Sequence, residues 1–155
     1  MGHTRENNMT IRRATMRDSL ALTEVFVAAR AESMPWLPSV DNNDTIAKWM
    51  KSSLIPISEV EIAEFDGEII GFSSRRNDKL EHLYVHPEHQ GKGYGTTMLD
   101  RVKTALPSGF DVLVYSENAK SRSFLEKRGC TFVSDSDGQT KREKTAESLY
   151  HWQPS

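Results

Sequence analysis

The sequence predicts a mixed α/β fold (α+β mixed), a central sheet of six or seven strands flanked by about four helices. Three observations point there. Strand-like apolar runs alternate with segments of helical apolar spacing along the chain. Asp66-Gly67 joins two of the runs and is a strong signal for a two-residue hairpin turn. Two later runs, residues 80–86 and 111–115, are linked through a helical segment, which makes them parallel neighbours or nearly so.

Bulk properties narrow the function before any motif is considered. At 155 residues, one domain over 9–155 behind a polar, aperiodic and disordered leader over 1–8 is the expectation. With 20 basic and 22 acidic residues and no block of like charge, electrostatics give no support to a nucleic-acid or membrane-surface partner. No apolar run approaches the roughly 18 residues of a membrane span. The single cysteine, Cys130, has no intramolecular disulfide partner, which fits a reducing cytoplasm. No Cys/His cluster is present, so a zinc site is not expected and no metal is assigned.

The elements follow in order. Residues 10–14 (TIRRA) form a first strand, and Thr15 to Asp18 offer a capping signal for a helix. Its apolar stripe is Leu20, Leu22, Val25, Phe26 and Ala29. Pro35 and Pro38 break that helix. Residues 44–53 give a second, short helix with Ile46, Trp49 and Met50 on one side. Residues 60–65 and 68–74 are the hairpin strands, and 80–86 the strand after them. A glycine-rich turn then leads into a helix marked by Met98, Leu99, Val102, Ala105 and Leu106. Residues 111–115 (DVLVY) form a nearly continuous apolar strand of the buried type. A helix over 118–128 ends at Gly129, and 131–133 and 148–152 are a last pair of strands around a polar loop, 134–146.

The chemistry concentrates in residues 80–103, LEHLYVHPEHQGKGYGTTMLDRVK. Strand, glycine-rich turn and helix in that order make an anion site. The first N–H groups of a helix lack intrahelical partners and lie at its positive end, and glycines let backbone approach phosphate oxygens. A P-loop would need Lys followed by Ser or Thr, but Lys92 precedes Gly93. A dinucleotide fingerprint needs G-x-G-x-x-G in a first βαβ unit, whereas this chain has G-x-G-x-G mid-chain after an antiparallel meander. The third reading is Q-G-x-G-x-G over Gln90 to Gly95, which resembles the pyrophosphate loop of acyl-CoA-dependent acyltransferases.

On these residues the chain resembles the GNAT superfamily of N-acetyltransferases over 10–152. HLYVHPEHQGKGYGTTMLD is similar to its cofactor-binding motif, and ENAKSRSFLEKRGCTFV to the helix-and-strand motif that comes after it. The resemblance implies acetyl-CoA as cosubstrate, a primary amine as acceptor, and a sheet splayed between its two central parallel strands; it leaves a homodimer open. It implies that Leu83 and Val85, with Tyr84 between them, offer backbone groups to the acetyl carbonyl and the pantetheine arm. Gln90, Gly91, Lys92, Gly93, Tyr94, Gly95 and Thr96 would wrap the pyrophosphate, Lys92 adding charge at the rim. Asn118 would hold the pantetheine or close the splay, and it is equally a plain helix N-cap. Arg122 would reach a cofactor phosphate, and Phe124 would pack on the cofactor or the core.

An amine with a pKa near 10 must lose a proton before it attacks. Glu81 is the candidate base because strand alternation puts it in phase with Leu83 and Val85. By the same period His82 points the other way, while His86 and His89 line the loop. The family's usual acid is a tyrosine seven residues after the asparagine, and that place is Leu125 here. The absent acid leaves two readings: an N-acetyltransferase for a small-molecule or protein amine, or a catalytically impaired acyl-CoA-binding regulatory module. Cys130, where the family commonly has phenylalanine, is expected as a small buried apolar residue. The acceptor site is expected from the two N-terminal helices, residues 30–43 and the loop 134–146, with Met34, Trp36 and Leu37 as an apolar wall. Glu32, Asp41 and Asp44 are candidates to attract a cationic amine.

Overall fold

Apolar alternation becomes seven strands in the computed structural model, which describes residues 9–37, 41–137 and 145–155. They are β1 (Met9–Arg13), β2 (Glu59–Phe65), β3 (Glu68–Arg76), β4 (Lys79–Val85), β5 (Phe110–Tyr115), β6 (Thr131–Ser136) and β7 (Glu147–Trp152). The sheet order is β1-β2-β3-β4-β5-β7-β6, and every neighbouring pair is antiparallel except β4 with β5. The β2–β3 hairpin turns on Asp66 and Gly67, both at positive φ (52° and 79°), as a type I′ turn requires. The expected leader, 1–8, and residues 38–40 and 138–144 of the two expected acceptor loops lie outside the described residues.

Helices cover both faces. On one face α1 (Ser19–Ser33) and α2 (Asn43–Trp49) lie over the β1–β4 half. Leu22, Val25, Met50 and Leu54 pack there against Val60, Ile62 and Phe72. On the other face α4 (Tyr94–Ala105) and α5 (Ala119–Lys127) bury Leu99, Val102 and Leu125 against Leu80, Phe110, Val112 and Tyr150. Each such side chain contributes about 1.5–3 kcal/mol when fully buried. Cys130 is in this second core, 4% exposed, where burial pushes its thiol pKa up. Among the described residues no helix is long and apolar enough to cross a membrane.

Two elements run further than the sequence suggests. The second helix continues past Ser53 through a π-helical turn (Met50–Leu54) into the one-turn α3 (Ile55–Ile57). Pro56 falls in the first turn of α3, at its junction with the π-helical turn. The strand β6 continues to Ser136; every one of its residues is exposed, so apolar alternation gives no sign of it.

Two irregularities in β4 shape the space beside it. β4 and β5 pair only at Lys79 with Asp111 and Leu80 with Val112, and then diverge. The expected splay between the parallel strands is therefore present. In addition, Ser74 of β3 pairs with His82 but Arg75 pairs with Leu80, leaving Glu81 as an extra residue in a bulge.

Candidate functional site

The divergence of β4 from β5 opens a cavity of about 600 Å³. Arg30 of α1, Met34 just after it, Glu81 to Tyr84 of β4, Leu113 and Tyr115 of β5, Asn118 and Leu149 are among its lining. A second cavity of about 280 Å³ lies over the turn into α4, lined by Val85, His89 to Gly91, Gly93 to Thr96, Lys120 and Arg128. Leu83, Tyr84, Ser121 and Phe124 border both, so the two spaces meet there.

The smaller cavity is a backbone cradle. Gly91 and Gly93 take φ of 78° and 87°, and a Cβ built on either would meet nothing within 4 Å. The glycines are thus required by conformation, and the space in front of them is open to a ligand. Gly93 caps α4, leaving the N–H groups of Tyr94, Gly95 and Thr96 at the helix's positive end. Gln90 staples the loop to the strand, donating from Nε2 to the Val85 carbonyl at 2.8 Å and accepting from Lys120 Nζ at 2.9 Å. Because the His86 N–H bonds the Ile70 carbonyl on the β3 side, the Val85 carbonyl faces the splay. The period of two turns the Leu83 backbone the same way. This donor set and cradle fit a pyrophosphate attached to a narrow arm.

Among the charged residues expected at the cradle, Lys92 is exposed and outside both linings. Arg122 is a correction. Its Nε donates to the Tyr150 hydroxyl at 3.0 Å and its Nη1 to the Ser116 carbonyl at 3.1 Å. It lines neither cavity, because its place on α5 faces β7. The cations that do line the cradle are Lys120 and Arg128, and the Arg128 guanidinium stacks 4.0 Å from the Phe124 ring centroid and donates to Thr96 Oγ1 at 2.8 Å. Sequence pattern does not single out Arg128; its position just before the helix-ending Gly129 is the one available sign. Phe124 lies against Gly95, where a Cβ would be 3.4 Å from the ring. Asn118, 6% exposed, caps α5 by accepting from the Ser121 N–H at 3.1 Å.

In the larger cavity the bulge changes the expected geometry. Leu80 packs on Leu99 and Val102 beneath α4, whereas His82, two residues on, lies among Phe26, Trp49 and Phe72 on the α1 side. The extra residue breaks the alternation between them. Glu81 is consequently out of phase with Leu83 and Val85, which corrects the expectation that it shares their side. Its Oε1 accepts from the buried Ser58 hydroxyl at 2.7 Å, while the residue still lines the cavity. His82 Nδ1 is 2.7 Å from Ser74 Oγ. Desolvation, with the positive Arg30 adding to it, lowers the His82 pKa to about 4, so the ring is neutral near pH 7. Leu125 borders this cavity as expected and carries no proton to give.

The acceptor wall is met in part. Met34 lines the cavity, 3% exposed. Trp36 instead packs edge-on against Tyr115 at 6.0 Å, and neither it nor Leu37 borders the space. Glu32 lies 3.9 Å from Lys120; it, Asp41 and Asp44 are all outside the lining.

Comparison with known proteins agrees with this geometry. Residues 56–130 match the acetyltransferase (GNAT) domain family. The chain is 33% identical over 140 residues to an L-methionine sulfoximine/L-methionine sulfone acetyltransferase from Salmonella typhimurium, covering 81% of this chain and 82% of that protein. It is 28% identical over 128 residues to an L-amino acid N-acyltransferase from Escherichia coli, with 76% and 74% covered. Among solved structures, a Salmonella typhimurium protein described as an acetyltransferase with its cofactor acetyl-CoA superposes with a TM-score of 0.67. That pair shares 25% identity over 95% of this chain and 94% of the other.

Proposed function

This chain belongs to the GNAT family of acetyltransferases and is an acyltransferase, and from that premise we propose that it moves the acetyl group of acetyl-CoA to a primary amine by direct attack in a ternary complex. The observation that carries this reading is the meeting of the two cavities at Leu83, Tyr84, Ser121 and Phe124. An arm running from a pyrophosphate held by Gly91 to Thr96 would pass these four residues to bring its thioester to an amine beside Glu81.

When bound, acetyl-CoA supplies a thioester already activated for acyl transfer. The chain's own work is alignment, charge stabilisation and proton removal. The N–H groups at the start of α4 and Arg128 hold the diphosphate. The backbone of Leu83 and Val85 aligns the arm and donates to the carbonyl oxygen as charge develops on it. Glu81, oriented by Ser58, takes the proton of the attacking amine, directly or through one water. Leu125 cannot protonate the departing thiolate; the hydroxyl groups common to both cavities are those of Tyr84 and Ser121, with solvent behind them.

The acceptor we propose is the α-amine of a free amino acid. The activities of the two relatives support it, and so does an acceptor cavity that holds both an arginine and a glutamate. Calorimetry with acetyl-CoA, then thiol release over a panel of L-amino acids and simple amines, tests the proposal. Binding with turnover is the expected result. Binding without turnover on any amine would favour the acyl-CoA-binding module, and failure to bind acetyl-CoA would end both readings.

A further inference from the structure

The acceptor cavity contains a cation that the proposed chemistry does not use. Arg30, in the last turn of α1, lines the splay together with Glu81, His82, Tyr84 and Tyr115. Its Nη1 donates to the Tyr84 hydroxyl at 3.4 Å. Its Cζ lies 4.8 Å from the Phe26 ring centroid and 5.8 Å from that of Tyr115. Aromatic faces and phenol oxygens of this kind fix the plane of a guanidinium while keeping its charge.

The placement holds the charge inside the cavity. Arg30 is half-buried, and a helix-end arginine could leave its head in water instead. Its field acts inside the cavity, where it helps hold His82 neutral. The splay therefore presents a fixed cation on α1, the Glu81 carboxylate on β4 and uncharged His82, in a lining that also includes Lys79, Asp111 and Glu147. A zwitterion with one carboxylate and one amine is complementary to Arg30 and Glu81 within that lining.

We infer that Arg30 is the specificity-determining residue that binds the carboxylate of a free α-amino acid, through its planar fork, and so presents the α-amine to Glu81. This rests on the acetyltransferase reading given above and decides between its two acceptor classes. A lysine side chain or a protein N-terminus carries no carboxylate beside its amine, so Arg30 selects against protein acceptors. Its role is in binding; it makes no contact with the transferred proton.

The experiment uses matched acceptors: L-methionine, its methyl ester and 3-(methylthio)propylamine, and L-phenylalanine, its methyl ester and phenethylamine. With wild-type protein, kcat/KM for the free acid should exceed that for ester and amine by at least about 10-fold, as expected for a site built around a charged group. In Arg30→Gln that ratio should collapse toward unity, mainly through a higher KM for the acid, and Arg30→Lys should restore part of it. Equal use of acid, ester and amine by the wild type, or a preference that survives in Arg30→Gln, overturns the inference and leaves the acetyltransferase reading intact. No acetylation of any member overturns the inference and the free-amino-acid acceptor together. The wild-type comparison needs no substitution, so a variant that fails to fold does not remove the test.

Discussion

The cradle at Gly91 and Gly93 and the splay at Glu81 touch, yet they are made in different ways. The cradle is mostly backbone from one continuous stretch, the end of β4, the turn and the start of α4, with Arg128 and Lys120 reaching in from α5. The splay is mostly side chains delivered by α1, β4, β5, the α5 cap and β7. A backbone site depends on φ angles and open space, and tolerates few changes at its glycines. A side-chain site depends on distant elements keeping their phase, and a single bulge redirects it. In the proposed function the first would hold a cosubstrate bound in one way, and the second would be open to retuning for different acceptors without disturbing it.

That contrast can be tested by damaging each part separately. The largest effect is expected for Gly93→Glu. A side chain at φ 87° is strained, and its carboxylate would point into the space proposed for the pyrophosphate. Acetyl-CoA affinity should fall by more than about 1,000-fold, or ~4 kcal/mol, by calorimetry. Affinity close to wild type would mean the cradle holds something else.

Glu81→Gln should do the reverse, lowering kcat about 100-fold while the acetyl-CoA dissociation constant stays within about twofold. A variant with undiminished kcat would remove Glu81 from the chemistry.

A smaller effect concerns His82. Unfolded, the ring binds its proton as pH falls through about 6.5; folded, it resists until about 4. The depressed folded value means that its share of stability is complete above pH 6.5 and is lost as the pH falls toward 4. On the order of 2–3 kcal/mol should disappear over that window in chemical denaturation. His82→Asn should flatten the window, and an unchanged slope would deny His82 the role.

The smallest effect is expected for Arg128→Ala, with acetyl-CoA affinity about 5-fold weaker and less dependent on salt. No loss at low ionic strength would place the phosphates away from Arg128.

Much of the fold is legible in the chain itself. The Asp66-Gly67 turn, the parallel β4–β5 relation and the glycine spacing are all local features. The sheet order is less open to view: β7 inserts between β5 and β6, held by Phe110 stacked on Trp152 at 5.5 Å and by His151 on Asp111 at 2.7 Å. Such pairings join residues some forty positions apart, which periodicity cannot register. The second half of edge strand β6, Ser134 to Ser136, escapes for the opposite reason, since its exposed polar residues show no alternation. Arg122 and Arg128 look alike as helix cations, and only their rotation about α5 separates one on Tyr150 from one on Thr96.

By itself the sequence determined the glycine cradle proposed for the anion, because its requirement is local: glycines able to take positive φ, then a helix start. It also determined which strand carries the candidate base. Only the tertiary structure decided where that base points, since one unpaired residue in β4 moved Glu81 out of phase with Leu83 and Val85 and onto Ser58. It also decided that Arg30, fifty-one positions earlier, enters the same cavity. Alternation is a rule about neighbours along a chain, and a bulge or a helix packed across the sheet is settled by partners that the chain reaches only on folding.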